Sequence, residues 1–445
     1  MTPSSSATQS AFSRRAFFGA AGAATLLPLL AACAAGGATP SSTSTKLPTG
    51  VLKYWDSILG TGAYNDLSKT LLANYKDGGL TANYQIIPAA NLFQTFQASI
   101  AAGTGPAVSG GYAFQAFQFA NEGAIAYADD LYKRMKANGM LADYFDGVTA
   151  PFKTDKGYVA VPWGMDMRVM WYRKSLLEKA GVDVPTDWDS FLTAGKALAK
   201  IGAFGWGTAA GPGASYGGHA LVSLMINNGG GLFDEDGKPD ATYSRNVEAM
   251  EFFLEMVGAG MVDPASVSYS SQNLYDSWKG GKVGMGIVNA TLTAEAGDTQ
   301  DDLAVMSPLK GPHGTKGTLQ YLKNFMMYTN TPSQRGSEDF MIWWLKQFKG
   351  ENGFFAKGVT GSLPVMKSVA KLDVIQKDKN VVKVLDEWQP VGKGYSARGT
   401  TLFGGLASVD AGTAINQFTQ TMIGGKTTAK DALKTLQDGI TSVLS

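Results

Sequence analysis

The sequence predicts an α/β fold with length for two domains or lobes. Three observations predict it. At 445 residues the chain can fill two sizeable cores. Its first folded stretch alternates strand and helix. One extended stretch inside residues 157–200 is interrupted by Pro162-Trp163-Gly164 and then resumes.

The elements follow in order. Residues 51–56 alternate apolar and polar like a strand, and residues 57–62 loop off it. Leu67, Leu71, Leu72 and Tyr75 stand at helical spacing and stop at Gly78-Gly79. Residues 82–88 are strand-like. Leu92, Phe93, Phe96 and Ile100 mark a second helix, stopped by Gly103. A β-α-β-α order argues for a parallel sheet covered by helices. Residues 158–161 and 165–172 are apolar runs on either side of the Pro-Trp-Gly break, the second carrying Asp166 and Arg168. Two readings of the break stand. It is a crossing between lobes, where a small ligand is most often held, or it joins two strands of one sheet by a Pro-Gly bend.

Further on, Thr186 is placed to cap a helix opening at Asp187, with Trp188, Phe191, Leu192 and Leu198 on its apolar face. Val247, Met250, Leu254 and Val257 form another stripe. Leu433, Leu436, Ile440 and Val443 form one near the end. Residues 282–288, 303–309 and 325–329 read as short strands.

The first residues read as an export segment rather than as fold. Ser13-Arg14-Arg15-Ala16-Phe17-Phe18 is a twin-arginine pattern, and the apolar run 17–32 is short for a membrane span. It ends in Leu30-Ala31-Ala32-Cys33, a lipobox pattern holding the chain's one cysteine. Residues 1–32 are therefore expected to be removed and the Cys33 thiol acylated. Residues 33–48, rich in Gly, Ser, Thr and Pro, form a flexible tether. The expected location is the outer face of a bacterial cell membrane, reached by the twin-arginine route.

Several chemistries are disfavoured. The formal net charge of +1 gives no sign of the basic face that nucleic-acid binding needs. Two His and one Cys make no soft-metal set, and no cofactor or metal is expected. No phosphate-binding G-x-x-x-x-G-K-[ST] loop is present. Gly213-Ala214-Ser215-Tyr216-Gly217 fits G-x-S-x-G, with His219 near. That elbow needs an apolar strand before it, and residues 208–212 are loop chemistry. Residues 234–240 read as a solvated turn, not a calcium loop.

Residues 96–108, FQASIAAGTGPAV, resemble the helix–AAGTGPDV–strand pattern of the family 1 extracellular solute-binding proteins, which serve ABC importers; Ala107 stands where the family usually has Asp. The likeness continues through residues 121–131, through Tyr158 to Phe191 (with Tyr172-Arg173-Lys174 where Tyr-Asn-Lys is usual), Gly230 to Phe233, Lys279 to Met285 and Gly361 to Val365. It implies a periplasmic-binding-protein-like fold of two lobes, each with a central mixed sheet flanked by helices, with three interlobe crossings near residues 162–166, 306–311 and 365–372. Lobe 1 would hold residues 49–163 and 309–366, and lobe 2 residues 164–308 and 367–445. It implies a monomeric, non-enzymatic protein that binds a saccharide by hinge closure and docks on ABC permease transmembrane subunits. A surface-anchored glycan or ester hydrolase, or a sensor domain on the same fold, is the alternative.

Saccharide sites need aromatic plates for the ring face and charged or amide groups for the hydroxyls. Residues of these types at loops and strand ends are Trp55, Asp56, Tyr112, Gln115, Trp163, Asp166, Trp206, His219, Asn289, Tyr321, Lys323, Tyr395, Arg398 and Phe403. The resemblance implies that Asp56, Asp166, His219 and the 395–403 loop lie near the ligand. Asp166 is singled out because an acid among Trp163, Met165 and Met167 needs a partner. Arg168 is unassigned, pairing either with Asp166 or with the other lobe.

Overall fold

A computed structural model describes residues 49–56, 62–77, 79–88, 92–298 and 301–445. The export segment, Cys33, the tether up to residue 48 and most of the 57–62 loop lie outside the described residues.

Among the described residues there are twelve strands: β1 (Gly50–Asp56), β2 (Lys76–Asp77), β3 (Leu80–Ile86), β4 (Val108–Gly111), β5 (Lys153–Thr154), β6 (Gly157–Tyr158), β7 (Val161–Arg173), β8 (Met285–Asn289), β9 (Leu303–Val305), β10 (Thr318–Met327), β11 (Leu363–Pro364) and β12 (Gly392–Lys393). The opening β-α-β-α forms as its periodicity predicts. β1 pairs in parallel with β3 and β4, and the helices Gly62–Ala73 and Leu92–Ala101 lie in the connections. The main sheet runs β2-β3-β1-β4-β10-β7-β11, with β10 antiparallel to both β4 and β7. It is a mixed sheet, and β5 and β6 form a separate hairpin.

The expected interruption at Pro162-Trp163-Gly164 is not there. β7 runs unbroken through all three residues, and the extended chain breaks earlier, at Val159-Ala160. Two features accommodate the residues that looked disruptive. Pro162 faces Asn324 where the register to β10 shifts between Lys323 and Asn324, so its missing N–H falls at a bulge. Gly164 faces β11, and a Cβ there would stand 3.3 Å from the Ser362 Cβ. Glycine lets the short strand approach.

The partners of β7 change along its length. Val161 to Met167 pair with β10, and Arg168 to Tyr172 pair with β8. β9 joins from Trp171 to Arg173. One strand thus belongs to two groups of partners, with the exchange between Met167 and Arg168.

The aromatic residues fill the interior around this strand. Trp163 is fully buried against Tyr64, Phe325 and Phe348, at 6.0, 5.7 and 5.0 Å between ring centres. Trp206, beyond the exchange point, is buried against Phe191 and Phe253. The 188–200 helix starts one residue later than its sequence suggests. Asp187, not Thr186, is the cap: its carboxylate accepts from the Ser190 amide at 2.9 Å, and the Ser190 hydroxyl accepts from the Asp187 amide at 3.1 Å. Asp187→Ala should therefore cost about 1 kcal/mol, seen as a lower urea midpoint with an unchanged denaturant slope.

Candidate functional site

The site begins with strand alternation. Successive strand side chains point to opposite faces. On β7 beyond the bulge, the apolar Met165, Met167 and Val169 take one face, and Asp166 and Arg168 share the other. Tyr321 on β10 lies directly opposite Asp166, and Lys323 lies opposite Gly164. Asp166, Arg168, Tyr321 and Lys323 are thus brought to one face of the sheet.

That face is the floor of a cleft of about 480 Å³. The segment after β4 supplies one wall with Tyr112, Phe114 and Gln115; His219 and Asp410 supply another. Gln115 turns back to accept a bond from the Tyr112 amide at 3.1 Å. His219 sits one turn into the helix Tyr216–Asn227, whose Gly217 and Gly218 permit its tight seat. A Cβ at Gly217 would overlap the Ala209 carbonyl, and one at Gly218 would overlap Ile415. Asp410 ends the helix Leu406–Asp410.

A continuous hydrogen-bonded chain links these groups. Arg168 Nη1 donates to Asp166 Oδ2 at 2.8 Å. Arg168 Nε and Nη2 lie 3.2 and 3.1 Å from His219 Nδ1. His219 Nε2 lies 3.0 Å from Asp410 Oδ1, which also accepts from the Tyr321 hydroxyl at 2.9 Å. A guanidinium can only donate, so His219 Nδ1 must be the acceptor and Nε2 carries the proton given to Asp410. Burial, then the adjacent Arg168, holds the His219 pKa below its ordinary value, against the pull of Asp410. The imidazole is neutral at neutral pH. Asp410, bonded by His219 and Tyr321, is held below the usual carboxylate range despite its burial. Burial lowers the Lys323 pKa, and Asp166 and Asp56 oppose the shift.

The apolar component is an aromatic group at one end. Tyr321 lies 5.1 Å from His219, 6.1 Å from Phe114 and 6.1 Å from Tyr395, between ring centres. Rings beside fixed carboxylate acceptors suit a polyhydroxylated ligand with apolar C–H faces.

Of the residues expected from sequence, Tyr112, Gln115, Asp166, His219, Tyr321 and Lys323 line the cleft, and Tyr395 packs against its aromatic end. Asn289 stands one shell behind. Its Nδ2 donates to the Tyr216 hydroxyl at 3.0 Å, and the Tyr216 ring covers Arg168. The others are elsewhere. Trp55 is buried edge-on against Phe96. Asp56 is fully buried and accepts from the Tyr54 hydroxyl at 3.2 Å. Trp163 and Trp206 are the core residues described above. Arg398 is held by Glu235 and Asp240 and lies over Tyr243, 4.0 Å from its ring centre. Phe403 packs on Phe233 and lines a different depression, with Lys153 and Thr401.

Sequence reasoning missed Asp410, Phe114 and the role of Arg168. Arg168 carried a legible signal, two positions from Asp166 and hence on its face. Asp410 carried none, being 191 residues from His219.

The G-x-S-x-G stretch opens a helix from a loop, as its preceding residues imply. Both ring nitrogens of His219 are engaged, by Arg168 and Asp410, so His219 is not free to serve as a base for Ser215. Among the described residues no group of three or more His, Cys, Asp or Glu is placed to hold a metal ion. No helix among them is long and apolar enough to cross a membrane.

Comparison with known proteins places this geometry. The family model of the bacterial extracellular solute-binding proteins matches residues 63–347. A sugar transporter protein from Arthrobacter chlorophenolicus A6, crystallised with laminaribiose, is 47% identical, covering 89% of this chain and 100% of its own, with a TM-score of 0.77. The cyclic α-maltosyl-1,6-maltose binding protein of Arthrobacter globiformis is 18% identical, covering 89% and 99%, with a TM-score of 0.72. A binding protein of Brucella abortus is 27% identical over 332 residues, 70% of this chain and 75% of its own. The fold is that of the periplasmic binding proteins. This chain belongs to the bacterial extracellular solute-binding protein family.

Proposed function

We propose that this protein is the substrate-binding component of an ABC importer and captures a di- or oligosaccharide in the cleft beside β7. The observation that carries the reading is the cleft itself: aromatic rings at one end, and the Asp166 and Asp410 carboxylates held in fixed orientation beside them. The laminaribiose bound by the Arthrobacter chlorophenolicus protein supports a glucose-based ligand.

In this reading the protein is not an enzyme. Residues 49–163 and 309–366 form one lobe, and residues 164–308 and 367–445 the other. The exchange of partners between Met167 and Arg168, directly after the crossing expected at Pro162–Asp166, supports a first crossing at the cleft floor. Ligand contacts both sides of it and stabilises the closed state, which docks as a monomer on the permease. Acylation at Cys33 after twin-arginine export holds the protein at the outer face of the cell membrane.

Titrating intrinsic fluorescence with a panel of neutral di- and oligosaccharides tests the reading. A saturable change with laminaribiose or a related glucan is the expected result. Silence towards every sugar, with tight binding of a peptide or a small anion instead, would overturn it.

A further inference from the structure

Arg168 is the cation of the hydrogen-bonded chain described above, and its surroundings show how it is used. Three of its N–H directions are taken by Asp166 and His219. Its guanidinium carbon lies over the rings of Tyr216 and Tyr321, 5.3 and 5.2 Å from their centres. Only 6% of its side chain is exposed, against 36% for Asp166 and 23% for Asp410. What the cleft offers a ligand from this network is therefore carboxylate oxygen, not guanidinium. Asp410 spends Oδ1 on both His219 and Tyr321, and Asp166 spends Oδ2 on Arg168, which leaves the second oxygen of each outside these bonds.

We propose that Arg168 is the positioning residue of this site, fixing Asp166 directly and Asp410 through His219, and that the paired acceptors so presented select neutral saccharides and refuse uronates. This rests on the saccharide reading above. Each carboxylate can accept from ligand hydroxyls only if its plane is held, and Arg168 and His219 hold the two planes through one bonded chain. A ligand carboxylate would stand against two fixed anions without reaching the buried cation, a repulsive arrangement that gives specificity. Lys323, on the same face, is already under the attraction of the Asp166 and Asp56 charges.

The chain also carries a distinguishing pH behaviour. His219 faces Asp166 and Arg168 from β7, Tyr321 from β10, Tyr395 from the loop after β12, and Asp410 from its own helix. With Arg168 present, Nδ1 is occupied as an acceptor and the ring resists protonation. Without it, one cause of the lowered pKa is gone and the pull of Asp410 remains.

The test uses the mature protein, wild type, Arg168→Met and Arg168→Lys, with laminaribiose and a glucuronate-terminated disaccharide as calorimetric probes. Wild type should bind laminaribiose with an affinity that is flat between about pH 5.5 and 8, and should bind the uronate at least about 100-fold more weakly. Arg168→Met should lose about 10- to 100-fold in laminaribiose affinity and become pH-dependent in that range. Arg168→Lys should recover only part, because an ammonium cannot bond Asp166 and His219 together as a fork does. If Arg168→Met proves unstable, nitrogen-15 NMR of wild-type His219 decides: a neutral Nε2–H ring at pH 6 is expected, and an ordinary titration near 6.5 overturns the proposal. Equal affinity in Arg168→Met, or equal binding of the uronate, also overturns it. Wild type that binds no neutral saccharide at all instead overturns the saccharide reading.

Discussion

Asp166→Ala should weaken laminaribiose binding by about 10- to 100-fold, the cost of removing a charged hydrogen-bond acceptor from a half-enclosed site. Stability should fall much less. Asp166 is 36% exposed, so solvent already screens its pair with Arg168, and the vacated Nη1 opens on the cleft, where water can replace the carboxylate. Asp166→Asn should be intermediate in affinity, because it keeps an acceptor oxygen but no charge. Calorimetric titration and urea unfolding of the same samples check this. If affinity and midpoint fall together across both variants, Asp166 serves the join between the two groups of strands and not the ligand.

Much of this arrangement could be read in advance because its causes are local. The opening β-α-β-α depends on apolar spacing and glycine stops, and it formed as spaced. Asp166 stood out because an acid in an apolar run needs a partner, and Arg168 two residues on is that partner. The Pro-Trp-Gly break was misread because proline and glycine mark an end only when their neighbours cannot absorb them. The bulge at Lys323/Asn324 and the close approach of Ser362 come from distant segments that do absorb them. Asp410 was invisible for the same reason: only the fold brings a helix end across to His219. Aromatic residues were the least readable class. A tryptophan at a strand end suits a core and a sugar platform equally, and Trp55, Trp163 and Trp206 all went to the core. Arg398 looked like a free donor in a loop, yet Glu235 and Asp240 already satisfy it.

Trp163 separates these two fates most sharply. As a core residue it should behave like any large buried side chain. Trp163→Ala removes the ring stacked on Tyr64 and Phe325 and leaves a void beside Phe348, with an expected loss of about 3–5 kcal/mol. Trp163→Phe keeps a flat apolar ring in the same slot and should lose clearly less. The Lys323 ammonium lies 5.6 Å from the Trp163 ring centre, on the cleft side, so a small change in affinity should follow from its altered seat. Urea unfolding measures the first effect, and titration of the protein that remains folded measures the second. A large drop in midpoint with laminaribiose affinity changed only a few-fold is the expected pattern. The opposite pattern, with affinity abolished and the midpoint preserved, would make Trp163 a platform for the sugar ring. The cleft floor would then have to open far enough to expose a side chain that is fully buried between Tyr64, Phe325 and Phe348.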